Sequence, residues 1–248
     1  MPQMNMMVST TANFELATRY LHDWVMTVIN QASRYGINVT NLDGWMANRY
    51  RLETNIASKD PIFVWLNGHG NENQLGGQDN EIILDLSNND MLSGRVCYAF
   101  SCLTALELGP SSIAKGCLSY IGYSDEFVFL YDTRATPLTD DYAKWFMWAG
   151  NEIGLSLLRG ETTGQAYANS QALFDAAIRY WSESNDPVAP QMLACLYQDK
   201  NFQELLGSAT ARINTEYYPP SAALAGVSPL IMLSLIMTGA YYLLKGVK

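Results

Sequence analysis

Residues 61–70 read PIFVWLNGHG. After the proline come five apolar residues in a row, Ile62 to Leu66, rich in aromatic and β-branched types and stopped by Asn-Gly. A strand that shows one face to water alternates polar and apolar residues. An unbroken apolar run instead indicates a strand buried on both faces, as in a parallel sheet covered by helices on either side. A second run of this kind, Val96–Phe100 (VCYAF), stops as abruptly in Ser101-Cys102-Leu103.

Around these two strands the helix and strand signals alternate, which argues for an α/β domain with a mainly parallel sheet. A short strand is expected over 4–9 and a helix over 14–35. In that helix Leu21, Trp24, Val25, Val28, Ile29 and Ala32 recur at helical spacing, so the stripe must face the sheet. Gly36 closes the helix, 37–40 reads as a strand and 42–56 as a second helix. Residues 71–90, rich in Asn, Gly and Asp, read as a loop or hairpin flap. Beyond the second core strand, 110–115 reads as a helix, 118–122 as a strand, and 127–131 as a strand or its continuation. Long helices are expected over 140–158 and 163–181, and a late strand or short helix over 191–197.

With 248 residues, 48% hydrophobic and 16% charged, the chain can bury a full core. A net charge of -9 disfavours nucleic acid as a partner, because phosphate backbones are held mainly by Lys and Arg. The four cysteines, Cys97, Cys102, Cys117 and Cys195, form no C-x-x-C pair, so reduced thiols in a cytosolic compartment are the simpler reading. MPQMNMMVST at the N-terminus has no basic segment followed by an apolar run, so no secretory signal is expected.

Residues 222–244 (AALAGVSPLIMLSLIMTGAYYLL) carry no charge over 23 positions and are followed by Lys245 and Lys248. As a helix they would reach about 34 Å, enough for a hydrocarbon core of about 30 Å. Tyr241 and Tyr242 sit where an interfacial belt belongs, and the lysines can snorkel. The expected organisation is a folded domain over 1–206, a linker over 207–221 and a single C-terminal membrane span. Such an anchor leaves the domain on the cytoplasmic side, although the two lysines also permit the opposite orientation. A helix packed on the domain or on a partner protein is the alternative reading.

In open α/β sheets, function gathers at the carboxyl ends of the strands. Both chemistry-bearing groups lie at such ends: Leu66 leads into Asn67-Gly68-His69-Gly70, and Phe100 into Ser101-Cys102. A cysteine nucleophile reacts as the thiolate, and an imidazole is the side chain suited to exchange that proton. Only two histidines exist, and His22 falls on the flank of the first helix's apolar stripe, as a surface residue would. The N–H groups of Gly70 and Cys102 are natural donors to an oxyanion formed when a thiolate attacks a carbonyl. Each motif alone has a plain structural reading, a small buried cysteine or a glycine turn. Their joint placement is what favours chemistry. Cys97, Cys117 and Cys195 read as packing residues. No cofactor is expected, and His69 has no second ligand at a zinc spacing.

FVWLNGHGN at 63–71, followed 33 residues after His69 by YAFSCLTALELG at 98–109, resembles the paired His and Cys blocks of caspase-like cysteine peptidases. With GCLSYIGY at 116–123, the pattern is most similar to the prokaryotic gingipain-like and CHAT-like branches, and the resemblance extends over about residues 14–207. It implies a three-layer α/β sandwich and hydrolysis of a peptide bond through a thioester acyl-enzyme. His69 and Cys102 would form the dyad, with Gly70 and Cys102 at the oxyanion hole. The sequence has Phe-Ser-Cys where caspases proper place Gln-Ala-Cys, so aspartate-directed cleavage does not follow. In such proteins the loop after the next strand often lines the substrate pocket. Here it contains Asp125 and Glu126, which would suit a basic side chain; a solvated turn is the plainer reading. The expected partner is a protein or peptide substrate. The alternative is a catalytically silent assembly module of the same fold at a membrane; the oligomeric state stays open.

Overall fold

The computed structural model describes residues 2–216. The expected membrane span, 222–244, and the end of the expected linker lie outside the described residues. Fifteen regular elements follow in chain order: β1 (Gln3–Thr11), α1 (Leu16–Ile29), β2 (Asn38–Asp43), α2 (Arg49–Lys59), β3 (Pro61–Asn67), β4 (Gly70–Asn71), β5 (Gln74–Gly76), β6 (Ile82–Asp85), β7 (Val96–Phe100), α3 (Leu108–Ala114), β8 (Ser119–Tyr123), α4 (Ala143–Leu158), α5 (Thr163–Ser182), α6 (Ala189–Phe202) and β9 (Gln203–Gly207). The central sheet has the order β2-β1-β3-β7-β8-β9. Its first five strands run parallel and β9 antiparallel to β8.

Every residue of β3, β7 and β8 is buried, as their apolar runs require. Alternate residues serve opposite faces. Met7, Phe63, Trp65, Tyr98, Phe100, Ile121 and Tyr123 pack against Tyr20, Leu21, Trp24 and Val28 of α1 and against α4. Val8, Val64, Leu66, Cys97, Ala99 and Tyr120 pack on the other side, against Leu52 and Ile56 of α2 and against β6. A third cluster ties α4 to α5 and α6 through Trp145, Phe146, Phe174, Trp181, Met192 and Leu196. The result is the three-layer sandwich. The packing of α4 on the sheet is tight: a Cβ on Gly150 would lie 2.3 Å from the Phe100 ring, and the Gly150 carbonyl accepts the Tyr98 hydroxyl at 2.9 Å.

Some boundaries differ from those expected. The first helix ends at Ile29 and its last expected turn is a separate 3-10 turn, Ala32–Tyr35, closed by Gly36 at φ 70°. The second helix starts seven residues later than expected, because Asn48 supplies the cap that Leu42 cannot: its side chain accepts the Arg51 N–H at 2.9 Å. The flap forms a small antiparallel sheet, β4-β5-β6. Residues 127–131 form no strand; β9 occupies the place beside β8 instead, arriving from α6. Residues 208–216, expected to belong to a linker, lie along the domain: Ile213 and Asn214 are buried, and the Ile213 carbonyl accepts the Asn5 N–H at 3.1 Å. Among the described residues no helix is long and apolar enough to cross a membrane.

Candidate active site

The β3–β7 ladder pairs Asn67 with Phe100, the last residue of each strand. His69 and Cys102 therefore stand at matching positions, two residues beyond the paired ends of neighbouring parallel strands. Both border the same small cavity. The two sequence blocks are thus brought together at the carboxyl edge of the sheet, beside the N-terminus of α1.

Gly70 closes the gap between the two loops. A Cβ there would meet Ser101 Oγ at 2.3 Å, the Cys102 carbonyl at 2.6 Å and Thr104 Cγ2 at 2.7 Å. Only a glycine lets the chain after His69 lie against the chain around Cys102. Leu103, directly after the cysteine, sits at φ 62°, a left-handed conformation that costs a side-chain-bearing residue about 1–2 kcal/mol. Its N–H donates to the Asp125 carbonyl at 3.1 Å, and that of Ala105 to the Tyr123 carbonyl at 3.0 Å, which hold the turn.

The ring of His69 is oriented by a residue that sequence reading did not single out. Glu15 Oε1 lies 3.1 Å from His69 Nε2, and the Phe14 ring meets the imidazole edge-on at 6.1 Å. Glu15 is also the N-cap of α1: its carboxylate accepts the N–H groups of Thr18 at 2.8 Å and Ala17 at 3.0 Å, while the Thr18 hydroxyl accepts the Glu15 N–H at 3.2 Å. Burial alone would raise the carboxyl, but these N–H donors and the His69 ring hold it below its ordinary range. The signal available in the sequence was the inverted capping box, Glu15-Leu-Ala-Thr18, in the one loop that leaves β1 at this edge.

Cys102 is half-buried and its Sγ is 3.9 Å from the Phe127 carbonyl. Burial pushes the thiol above its ordinary value, and the Glu126 carboxylate pushes the same way. Asp199, on α6, is fully buried. One of its oxygens accepts the Val128 N–H at 2.9 Å and the other has no partner among the described residues, so burial drives its carboxyl well upward. Asp125 and Glu126 lie on the outer turn. Asp125 Oδ1 accepts the Glu126 N–H at 2.8 Å, Glu126 is exposed, and neither lines the cavity. His22 is away from this site, half-buried between Asp23 at 2.8 Å and Asp43 at 3.0 Å. Among the described residues no cluster could hold a metal ion.

Solved structures with the same chain path decide the fold. The chain overlays on the crystal structure of the Arg-specific cysteine proteinase gingipain R with a TM-score of 0.54 at 11% identity, covering 86% of this chain and 48% of that one. It overlays on the complex of the pro- and mature domains of Porphyromonas gingivalis RgpB with a TM-score of 0.56 at 11% identity, covering 86% and 49%. This is the caspase-like fold. The chain spans about half the length of these neighbours. No protein-family model matches the sequence, and no curated protein is significantly similar to it. The caspase-like sandwich expected from the His and Cys blocks is the one observed, and its strands β3 and β7 are those that lead into His69 and Cys102.

Proposed function

We propose that this chain is a cysteine endopeptidase that cleaves a protein or peptide substrate through Cys102 and His69. The observation that supports it best is the pairing of Asn67 with Phe100, from which both side chains follow at equal distance along neighbouring strands. His69, held by Glu15, takes the Cys102 proton; the thiolate adds to the substrate carbonyl; and the N–H groups of Gly70 and Cys102 face the oxyanion. The imidazolium then protonates the departing amine, leaving a thioester, which a water activated by His69 hydrolyses. The raised thiol makes this base necessary, because a lone Cys102 would hold its proton at neutral pH.

The test compares the full chain with Cys102→Ala on a protein-derived peptide library read by mass spectrometry. Cleavage that disappears in the variant supports the proposal, and cleavage that persists removes it. The raised thiol also favours a second reading, a catalytically silent assembly module. That reading is upheld if the wild-type chain cuts nothing.

We further propose that residues 222–244 tether the domain to a membrane. The 23-residue uncharged run supports this. Removing residues 222–248 should move the chain from the membrane to the soluble fraction; a full-length chain that is soluble without detergent overturns it.

A further inference from the structure

Resting on the peptidase reading, we infer that the enzyme takes a small, uncharged aliphatic side chain at the residue preceding the cleaved bond, in the cavity beside Cys102. When the thiolate adds to a carbonyl carbon, the substituent on the adjoining Cα lies within a few bonds of Sγ. The recess bordering Cys102 and His69 is therefore where that side chain goes. It has a volume of about 70 Å³ and is walled by Ala17 and Leu21 of α1, by Phe100, and by Phe127 and Phe129. A dry apolar cavity of about 150 Å³ accommodates benzene, so this one has room for roughly one to three carbons.

The chemistry of the wall excludes a charged occupant. No Lys, Arg, Asp or Glu lines the cavity among the described residues. The Thr18 hydroxyl is committed to the helix cap through the N–H groups of Phe14 and Glu15, both at 3.2 Å. Ser101 Oγ is buried and without a hydrogen-bond partner among the described residues, so it offers one neutral polar contact and no charge. An Arg or Lys side chain would be desolvated there without a counter-charge, and for an Asp the imidazole on the wall, His69, already faces Glu15. Arg, named as the specificity of the gingipain neighbour, finds no partner.

The walls are also fixed. The Phe127 ring is wedged between Phe100, at 4.7 Å, and Tyr123, at 5.1 Å. Phe129 lies 5.2 Å from Tyr20, whose hydroxyl donates to the buried Asp140 at 2.6 Å. The backbone on either side of Phe127 is pinned to α6: the Val128 N–H donates to Asp199 at 2.9 Å, and Gln198 Nε2 donates to the Glu126 carbonyl at 3.0 Å.

The full-length chain is treated with a panel of peptidyl acyloxymethyl ketones that differ only at that residue: Ala, Val, Leu, Phe, Arg, Lys and Asp. The Cys102 thiolate displaces the carboxylate leaving group and a thioether remains, read as added mass on the Cys102 peptide. Labelling by the Ala or Val probe at least tenfold faster than by any charged or aromatic one is expected. Faster labelling by Arg or Lys overturns the inference and leaves the peptidase reading standing. Labelling at equal rates also overturns it. If no peptide probe labels Cys102 while iodoacetamide does, both readings fall. Two variants keep the size argument testable on its own: Leu21→Ala should shift the preference toward Leu, and Ala17→Leu should slow the Val probe more than the Ala probe. An unchanged ranking in both overturns the assignment of this cavity.

Discussion

His69 and Cys102 leave the sheet in step, each two residues past the Asn67–Phe100 pair that ends the β3–β7 ladder. Parallel strands stand about 4.8 Å apart, so the two loops emerge side by side and neither needs a long excursion to bring its side chain to the other. If His69 is the base for a thiol that burial holds protonated, His69→Ala should slow substrate cleavage at least ~100-fold at pH 7. His69 is exposed, so thermal stability should change little. The check is cleavage kinetics beside a melting curve; a variant that retains most of its rate removes His69 from the chemistry.

Glu15 does two jobs with one carboxylate, and two substitutions separate them. Glu15→Gln keeps an oxygen for the Thr18 N–H but loses the charge facing His69. Half-exposed ion pairs of this kind contribute on the order of 0.2–1 kcal/mol to stability, so the melting temperature should move slightly while cleavage falls several-fold. Glu15→Ala loses the cap as well, which costs about 1 kcal/mol more. The sign of the pH effect follows from the lowered carboxyl: its stabilisation is present above about pH 4.3 and fades as pH falls through the folded value, so wild type and Glu15→Gln should converge in acid. Equal cleavage by wild type and Glu15→Gln at pH 7 would show that the carboxylate only caps the helix.

Much of this arrangement was legible in the residues, for physical reasons. β3 and β7 are apolar on both faces, so their ends are legible: β7 stops at Phe100 as expected, and β3 runs one residue past Leu66, to Asn67. The 127–131 run was misread because Phe127, Val128 and Phe129 look like a strand. Instead the Phe127 ring packs edge-on against Phe100, and the Val128 N–H goes to Asp199 rather than to a ladder. The sequence assigns no element to 203–207, since Gln203, Glu204 and Gly207 break any alternation and only the antiparallel pairing with β8 defines β9. Glu15 escaped notice because a carboxylate in a cap has an ordinary local explanation, and its second partner is 54 residues away. Asp199 gave no signal: on α6 it reads as a surface acid, and only tertiary packing buries it.

That buried acid predicts an unusual stability profile. Asp199 is raised by burial, so the folded state holds its proton more tightly than the unfolded one. Below the unfolded value, about pH 3.9, both states are protonated and the group is neutral in effect. Above it the unfolded chain ionises first, and folding loses about 1.4 kcal/mol for each pH unit until the folded value is reached. Asp199→Asn keeps an oxygen for the Val128 N–H and cannot ionise. It should therefore melt near wild type at pH 4 and higher than wild type at pH 8. A variant that is less stable at pH 8 would mean that the carboxylate is needed as such.

Gly70 offers the sharpest separation of geometry from stability. Its added Cβ would meet Ser101 Oγ, the Cys102 carbonyl and Thr104 Cγ2, all below 3 Å, so Gly70→Ala must push the His69 loop away from the cysteine loop. Overpacking of this kind costs about 1–3 kcal/mol in stability. The catalytic cost should be larger, because a displacement of about 1 Å between reacting groups can lower a rate ~100-fold. The variant should therefore still fold, alkylate slowly with iodoacetamide at Cys102, and cleave at least ~100-fold more slowly than wild type. Compensation is also expected: Ser101→Gly removes the hydroxyl that the new methyl meets at the shortest distance, and in the double variant part of the lost cleavage should return. If Gly70→Ala cleaves at the wild-type rate, the close approach of the two loops is incidental to catalysis.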